Sequence, residues 1–307
     1  MRRNLSNFIP FILCIASSVN AELAYPDFMM SMTREGKDEV EYEAIQQSES
    51  LENLAVFSDC YKNSLLREKK AEGLPQIPKI IHQIWLGSPV PAKFTDWMES
   101  WMHWYGWEYK LWTDDNISSL LLYNQDLYDR AQSYGEKTDI LRLEILLLFG
   151  GIYVDVDFKC VKPGIFQELS RDFDFYIGFE PIVHGTMSGI TKICNALIAA
   201  IPHHPLIEDL IINMKPNWIL HETETGVQKA GPDYFSRMIL AYEKGSLLFP
   251  EKKSDNLHYH NIYLPCTFFY KFSDQDIKSK LTEEEILEDS SLETAAIHYW
   301  SGSWRPK

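Results

Sequence analysis

The stretch that most constrains this chain is a helix that cannot show a side to water, followed by two glycines and a short strand that ends in acids. Lys137-Thr138-Asp139-Ile140-Leu141-Arg142-Leu143-Glu144-Ile145-Leu146-Leu147-Leu148-Phe149 is apolar nearly all round, which marks a helix buried on most sides. Gly150-Gly151 ends it, and Ile152-Tyr153-Val154 reads as a buried strand. Asp155 and Asp157 follow, with one residue between them. A buried helix delivering its chain straight into a buried strand belongs to a layered α/β fold, in which ligands sit at the carboxyl ends of strands.

Side chains alternate along a strand, so two carboxylates two positions apart share a face and stand roughly 6.5–7 Å apart. Such a pair suits a hard divalent ion, Mg²⁺ or Mn²⁺, that keeps some waters and also binds substrate phosphates. The expected partner is a diphosphate. A bare Asp-x-Asp also occurs at solvated strand ends, but here the strand is apolar and leaves a helix–glycine turn. A calcium loop of the EF-hand type is excluded, because Phe158-Lys159-Cys160 supplies neither the further oxygen ligands nor the glycine. On the helix, Asp139 and Arg142 share a face. They form either an internal ion pair that places the helix or a binding pair. In the second case Asp139 accepts from sugar hydroxyls, while the Arg142 fork holds a carboxylate or phosphate oxygen.

Further motifs stand in a fixed order: Ile80-Ile81-His82-Gln83-Ile84-Trp85-Leu86-Gly87, Leu111-Trp112-Thr113-Asp114, Thr138-Asp139-Ile140-Leu141-Arg142, and Gly150 to Asp157. The chain closes with Ala296-Ile297-His298-Tyr299-Trp300-Ser301-Gly302-Ser303-Trp304. In this order the sequence resembles the DxD-type glycosyltransferases of glycosyltransferase family 32. That group includes fungal Golgi α-mannosyltransferases and inositol-phosphoceramide mannosyltransferases, with the large glucosylating toxins as more distant relatives. The resemblance is close over about residues 77 to 181 and returns at 296 to 304.

The resemblance implies a metal-dependent, retaining transfer of a hexose from a nucleotide-diphosphate sugar, GDP-mannose or a UDP-sugar, to a hydroxyl of a glycan, glycolipid or protein acceptor. It implies a GT-A type fold and a Mn²⁺ or Mg²⁺ ion held by Asp155 and Asp157, with His298 as a further ligand. Asp155 would also contact the donor's ribose or sugar, and Asp139 and Arg142 would hold the donor sugar. Trp85 would stack on the base, a contact worth about 1–3 kcal/mol. Tyr153 would lie near the sugar or diphosphate and Trp304 near a phosphate. Asp139, Arg142, Asp155 and Asp157 are thus the catalytic set. Gly231-Pro232 resembles the family's Thr-Gly-Pro element, but Ala230 replaces the threonine. No carboxylate is an evident covalent nucleophile, so the implied route is a front-face transfer in which the leaving phosphate helps deprotonate the acceptor.

With 307 residues, 45% of them hydrophobic, the chain can build one large α/β domain. Its formal charge of −15 argues against nucleic acid and anionic membrane surfaces as partners. Arg2 and Arg3 precede the apolar run Phe8 to Val19, and Val19-Asn20-Ala21 fits a cleavage site. That run falls short of the ~20 residues that span a bilayer. Residues 1–21 therefore read as a signal peptide, or alternatively a signal anchor, for the secretory route. Cys60, Cys160, Cys194 and Cys266 then remain, and the sequence leaves their pairing open.

Residues 22–76 read as an acidic helical extension, helical over Glu39 to Lys70, and 77–307 as the catalytic domain. Its expected strands are Ile80 to Trp85, Glu108 to Trp112, Ile152 onward and Phe173 to Phe179. Expected helices are Phe94 to His103, Asn116 to Leu122, Leu127 to Tyr134, the motif helix, Ile190 to Ala200, His204 to Met214 and Pro232 to Tyr242. Mobile loops are expected at Thr186 to Ile190 and Glu251 to His260. The helix-like spacing of Trp97, Trp101, Trp104, Tyr105 and Trp107 favours core packing over a sugar platform. The alternating elements amount to a three-layer α/β/α sandwich of the nucleotide-sugar-binding type. Two other function classes compete: a phosphoryl hydrolase with Asp155 as nucleophile, disfavoured because Lys159 stands where such enzymes have threonine or valine, and a catalytically silent carbohydrate-binding relative, disfavoured because Asp157 and Arg142 are both present.

Overall fold

The computed structural model describes residues 23, 25–45, 49–68, 70, 76–186, 191–245, 259–279 and 281–302. In chain order the helices are α1 (Phe28–Met32), α2 (Glu39–Ile45), α3 (Glu49–Leu66), α4 (Thr95–Met102), α5 (Asp114–Ile117), α6 (Gln125–Arg130), α7 (Tyr134–Phe149), α8 (Pro163–Asp172), α9 (Ile182–Thr186), α10 (Pro205–Leu220), α11 (Gly226–Lys229), α12 (Pro232–Glu243), α13 (Asp274–Lys278) and α14 (Glu283–Glu288). The strands are β1 (Ile80–Ile84), β2 (Glu108–Trp112), β3 (Gly151–Val154), β4 (Phe158–Cys160), β5 (Phe175–Phe179), β6 (Ile193–Ala200), β7 (Asn261–Leu264) and β8 (Ala296–His298). Among the described residues they form a six-stranded mixed sheet, β2-β1-β3-β6-β5-β7, and a two-stranded sheet, β4-β8. β6 runs antiparallel to both of its neighbours, β3 and β5.

The three-layer α/β/α arrangement expected from the sequence is the one observed. His82 and Tyr153, paired across β1 and β3, turn to one face, where Phe149 and Arg142 of α7 meet them. On the opposite face Tyr109 and Leu111 pack with Phe94 and Met98, and Tyr176 meets Ser170 of α8 and Phe269. Trp101 and Trp104 stack on each other and on Phe166 inside this second layer, while Tyr105 is exposed. Trp101 and Trp104 are therefore core, as the spacing indicates, whereas Trp97 and Trp107 are only half-buried.

The turn that leads into β3 explains the glycine pair. Gly150 and Gly151 have φ of +61° and +94°, a region L side chains rarely adopt. A Cβ on Gly151 would lie 2.5 Å from the Ile80 carbonyl oxygen, and one on Gly150 2.6 Å from the Pro202 ring. His82 fastens the same turn. Its Nδ1 accepts from the Trp112 indole N–H at 3.1 Å, so its Nε2 donates to the Gly150 carbonyl at 2.9 Å. Burial holds this imidazole neutral, with its pKa lowered to about 4.

One expected element is wrong in kind. Ile193–Ala200, expected as part of a helix from Ile190, is strand β6, buried at all eight positions. A central strand buried on both faces has no polar alternation, so its apolar run carries no signature of period two. Two short helices are also misplaced: Asn116 to Leu122 is helical only as Asp114–Ile117, and Leu127 to Tyr134 only as Gln125–Arg130. The signal segment 1–21, most of both expected loops (187–190 and 251–258) and Trp304 lie outside the described residues.

Helices α1 to α3 share the main core. Phe28, Met32, Leu54, Phe57 and Tyr61 are buried in the cluster that contains the sheet, with Phe57 edge-on to Phe179 and Tyr263. The buried Arg34 ties α1 to the far end of the chain, through ion pairs with Asp38 and Asp276 and a 3.1 Å bond to the Lys271 carbonyl. Cys60, Cys160, Cys194 and Cys266 are free thiols. Among the described residues no helix is long and apolar enough to cross a membrane.

Candidate active site

The site forms where β3 gives out. The Asp155 N–H still donates to Ala196 of β6 at 2.8 Å, after which the chain turns, with Phe158 N–H reaching the Asp155 carbonyl at 3.3 Å. Asp155 and Asp157 are thus not strand alternates as the sequence pattern implies. A tight turn brings them together, because β3 ends at Val154 and the chain must reverse into β4. β4 pairs antiparallel with β8, which sets Phe158 opposite His298. The His298 ring stacks flat on Phe158 at 4.4 Å, and its Nε2 lies 3.2 Å from Asp157 Oδ1. Two backbone donors complete the surround of Asp157: Ser301 N–H to Oδ2 at 2.8 Å and Tyr299 N–H to its carbonyl at 2.9 Å. One oxygen each from Asp155 and Asp157 and one nitrogen of His298 lie within 4.8 Å of one another. Two carboxylates and an imidazole form a donor set that fits Mn²⁺ or Mg²⁺.

On the other side of Asp155 stands the helix pair. Arg142 is buried, with its guanidinium carbon over the Tyr153 ring at 4.6 Å from the centroid. Its Nη2 is 3.0 Å from Asp139 and 3.5 Å from Asp155, and its Nη1 donates to the Asn195 carbonyl at 2.6 Å. Asn195 donates from its side chain to Asp139 at 2.9 Å, and the Tyr153 hydroxyl donates to Asp155. The arginine is therefore aimed by four residues from three elements and joins Asp139 to the carboxylate pair.

These carboxyls differ in charge for identifiable reasons. Burial raises Asp139 to about 7, against the pull of Arg142 and the Asn195 bond. Burial also raises Asp155, opposed by Arg142 and reinforced by Asp157. At Asp157 burial is outweighed by His298 and Ser301, which hold the carboxyl down to about 2. One permanently ionised carboxylate thus stands beside two that resist ionisation, and a nearby cation would relieve that resistance.

Trp85, at the end of β1, packs on Phe94 at 5.1 Å, within the cluster that contains Val156, the residue between the two aspartates. Asp114 ends the second motif and accepts from the Gly87 N–H at 2.6 Å, holding the Trp85-Leu86-Gly87 segment to the end of β2. Gly231 caps α12, so the Gly-Pro element starts a helix that packs on β6. The structure brings Asp139, Arg142, Tyr153, Asp155, Asp157 and His298 together. Asn195, Ser301 and Trp300 join them unforeseen. Asn195 lies in the strand mistaken for a helix, and Ser301 contributes its backbone, which has no sequence signature.

Residues 91–173 match the family described as the glycosyltransferase sugar-binding region containing DXD motif, which is the family the ordered motifs resemble. The chain is 28% identical over 203 residues to an uncharacterized glycosyltransferase of Acanthamoeba polyphaga mimivirus, covering 63% of this chain and 75% of that one. It is 29% identical over 179 residues to inositol phosphoceramide mannosyltransferase 1 of Schizosaccharomyces pombe, covering 55% of this chain and 53%, about half, of the relative. Among solved structures, the PaToxG glycosyltransferase aligns over 72% of this chain and 86% of its own, with 18% identity and a TM-score of 0.44.

Proposed function

We propose that this chain, a glycosyltransferase by family, transfers a hexose with retention from GDP-mannose or a UDP-sugar to a hydroxyl of a glycan, glycolipid or protein, and that residues 1–21 direct it into the secretory route. The observation that carries the reading is the convergence of Asp155, Asp157 and His298 within 4.8 Å, beside the buried Arg142–Asp139 pair. Bound there, Mn²⁺ or Mg²⁺ would offset the charge that develops on the departing diphosphate. Asp157, already ionised, is the anchoring ligand, and Asp155 and His298 complete the protein's share. Arg142 is held by Asp139 and the Asn195 carbonyl over the Tyr153 ring, so it meets a donor oxygen without reorganising. Asp139 presents an acceptor to sugar hydroxyls. Trp85 offers an aromatic face to the base.

The test is a thermal-shift screen of the purified protein against UDP- and GDP-sugars with and without Mn²⁺, since a ligand that binds the folded state raises its apparent stability. One nucleotide should give a Mn²⁺-dependent shift. Asp157→Ala should abolish that shift and lower transfer at least ~100-fold. A folded variant that transfers at the wild-type rate sinks the metal assignment, and no shift with any donor turns the weight to a hydrolase or a silent carbohydrate binder.

A further inference from the structure

The segment after β8 lies against Asp157, and Trp300 stands in it with an unusual backbone. That residue has φ +49°, a left-handed conformation uncommon for a bulky side chain. Such a residue persists only where its surroundings over-determine it, and here three contacts do so. The indole N–H donates to the Phe272 carbonyl at 2.8 Å, the ring packs on His298 at 4.1 Å, and the His184 ring meets it edge-on at 4.6 Å. His184 is itself fixed, with Nδ1 2.9 Å from Glu180 and Nε2 3.1 Å from Asp274. The next residue's N–H, that of Ser301, donates to Asp157 Oδ2 at 2.8 Å.

We propose that Trp300 is the positioning residue of the metal centre: its left-handed backbone aims the Ser301 N–H at Asp157, and its ring fixes the imidazole of His298. The inference rests on the metal reading of the site and assigns a role to a side chain that is not itself one of the three candidate ligands. The two halves separate by substitution. Glycine keeps the backbone conformation at little cost and removes the ring, alanine removes the ring and disfavours the conformation, and phenylalanine keeps a ring but loses the N–H. A residue that merely supports the fold would change thermal stability and leave metal affinity alone.

The experiment is a Mn²⁺ titration followed by the electron paramagnetic resonance of the free ion, with and without UDP or GDP, on wild type and the three Trp300 variants, each checked for folding by circular dichroism. Trp300→Ala should weaken Mn²⁺ binding at least tenfold, Trp300→Gly should fall between alanine and wild type, and Trp300→Phe should lie nearest wild type. A folded Trp300→Ala that binds within twofold of wild type overturns the proposal. Should alanine not fold, equal affinities for the phenylalanine and glycine variants overturn it instead. Wild type that takes up no Mn²⁺ under either condition overturns the metal reading, and this proposal with it.

Discussion

Replacing Asp139 by asparagine should make the protein more stable and less active, and the gain in stability should depend on pH. The Asp139 side chain is 14% exposed, and burial raises its pKa from 3.8 to about 7 despite Arg142 at 3.0 Å. The sign follows from proton counts. Between pH ~4 and ~7 the unfolded chain has lost this proton and the folded chain keeps it, so this residue's contribution to stability falls as pH rises through that window and stays low above it. At about 1.4 kcal/mol per pH unit, the cost of the charge in the folded state reaches about 4 kcal/mol at pH 8. Asparagine keeps the shape, an acceptor for Asn195 and a carbonyl for Arg142, and carries no charge. At about 2–3 °C per kcal/mol for a chain of this size, Asp139→Asn should raise the melting temperature by about 8–12 °C at pH 8 and by no more than about 3 °C near pH 4.5. The assay is calorimetry of metal-free protein at both pH values, with transfer activity measured alongside. An asparagine variant that melts no higher than wild type at pH 8 refutes the argument, because the Asp139–Arg142 pair would then stabilise the fold outright.

Acid should weaken the fold through His82. Its imidazole is held neutral with a pKa lowered from 6.5 to about 4, so stability is lost as pH falls through that interval. His82→Phe should cost about 2–3 kcal/mol at pH 7, by orphaning the Trp112 N–H and the Gly150 carbonyl, and less at pH 5. Urea unfolding at the two pH values checks it, and a constant difference contradicts it. Gly151→Ala, with φ +94° and a backbone oxygen 2.5 Å from the new Cβ, should cost at least ~3 kcal/mol. Gly164→Ala in α8, where nothing lies within 4 Å, is the control that should be neutral or stabilising in the same chemical melts.

What the sequence made legible follows the strength of its patterns. The buried α7, the glycine pair and β3 were readable because helix, turn and strand each carry their own signal over adjacent residues. β6 was not, since a run of eight residues that is apolar but for Asn195 satisfies a buried helix and a buried central strand alike. β4 and β8, three residues each, are too short for any period to show. The same divide runs through the site. Asp139 and Arg142 were visible as a helix-face pair and Asp155 and Asp157 as neighbours, although a turn and not strand alternation joins them. His298 was placed by resemblance alone, since nothing local to it marks a ligand. Asn195 and Ser301 act through contacts that only the assembled chain creates, one from β6 to α7 and one through its backbone.

The pairing of β4 with β8 fixes when the site can exist. Asp157 and His298 are 141 residues apart in the chain and meet only through that short antiparallel pair. Loop closure over such a span gains nothing until the residues between are folded, so this contact belongs late in folding. A nascent chain that has exposed everything up to β7 already owns the strands of its main sheet and both aspartates, yet lacks the imidazole and the Ser301 N–H that surround Asp157. On the proposed metal reading the three-ligand set is therefore complete only once residues 298–301 have been made and β8 has paired with β4.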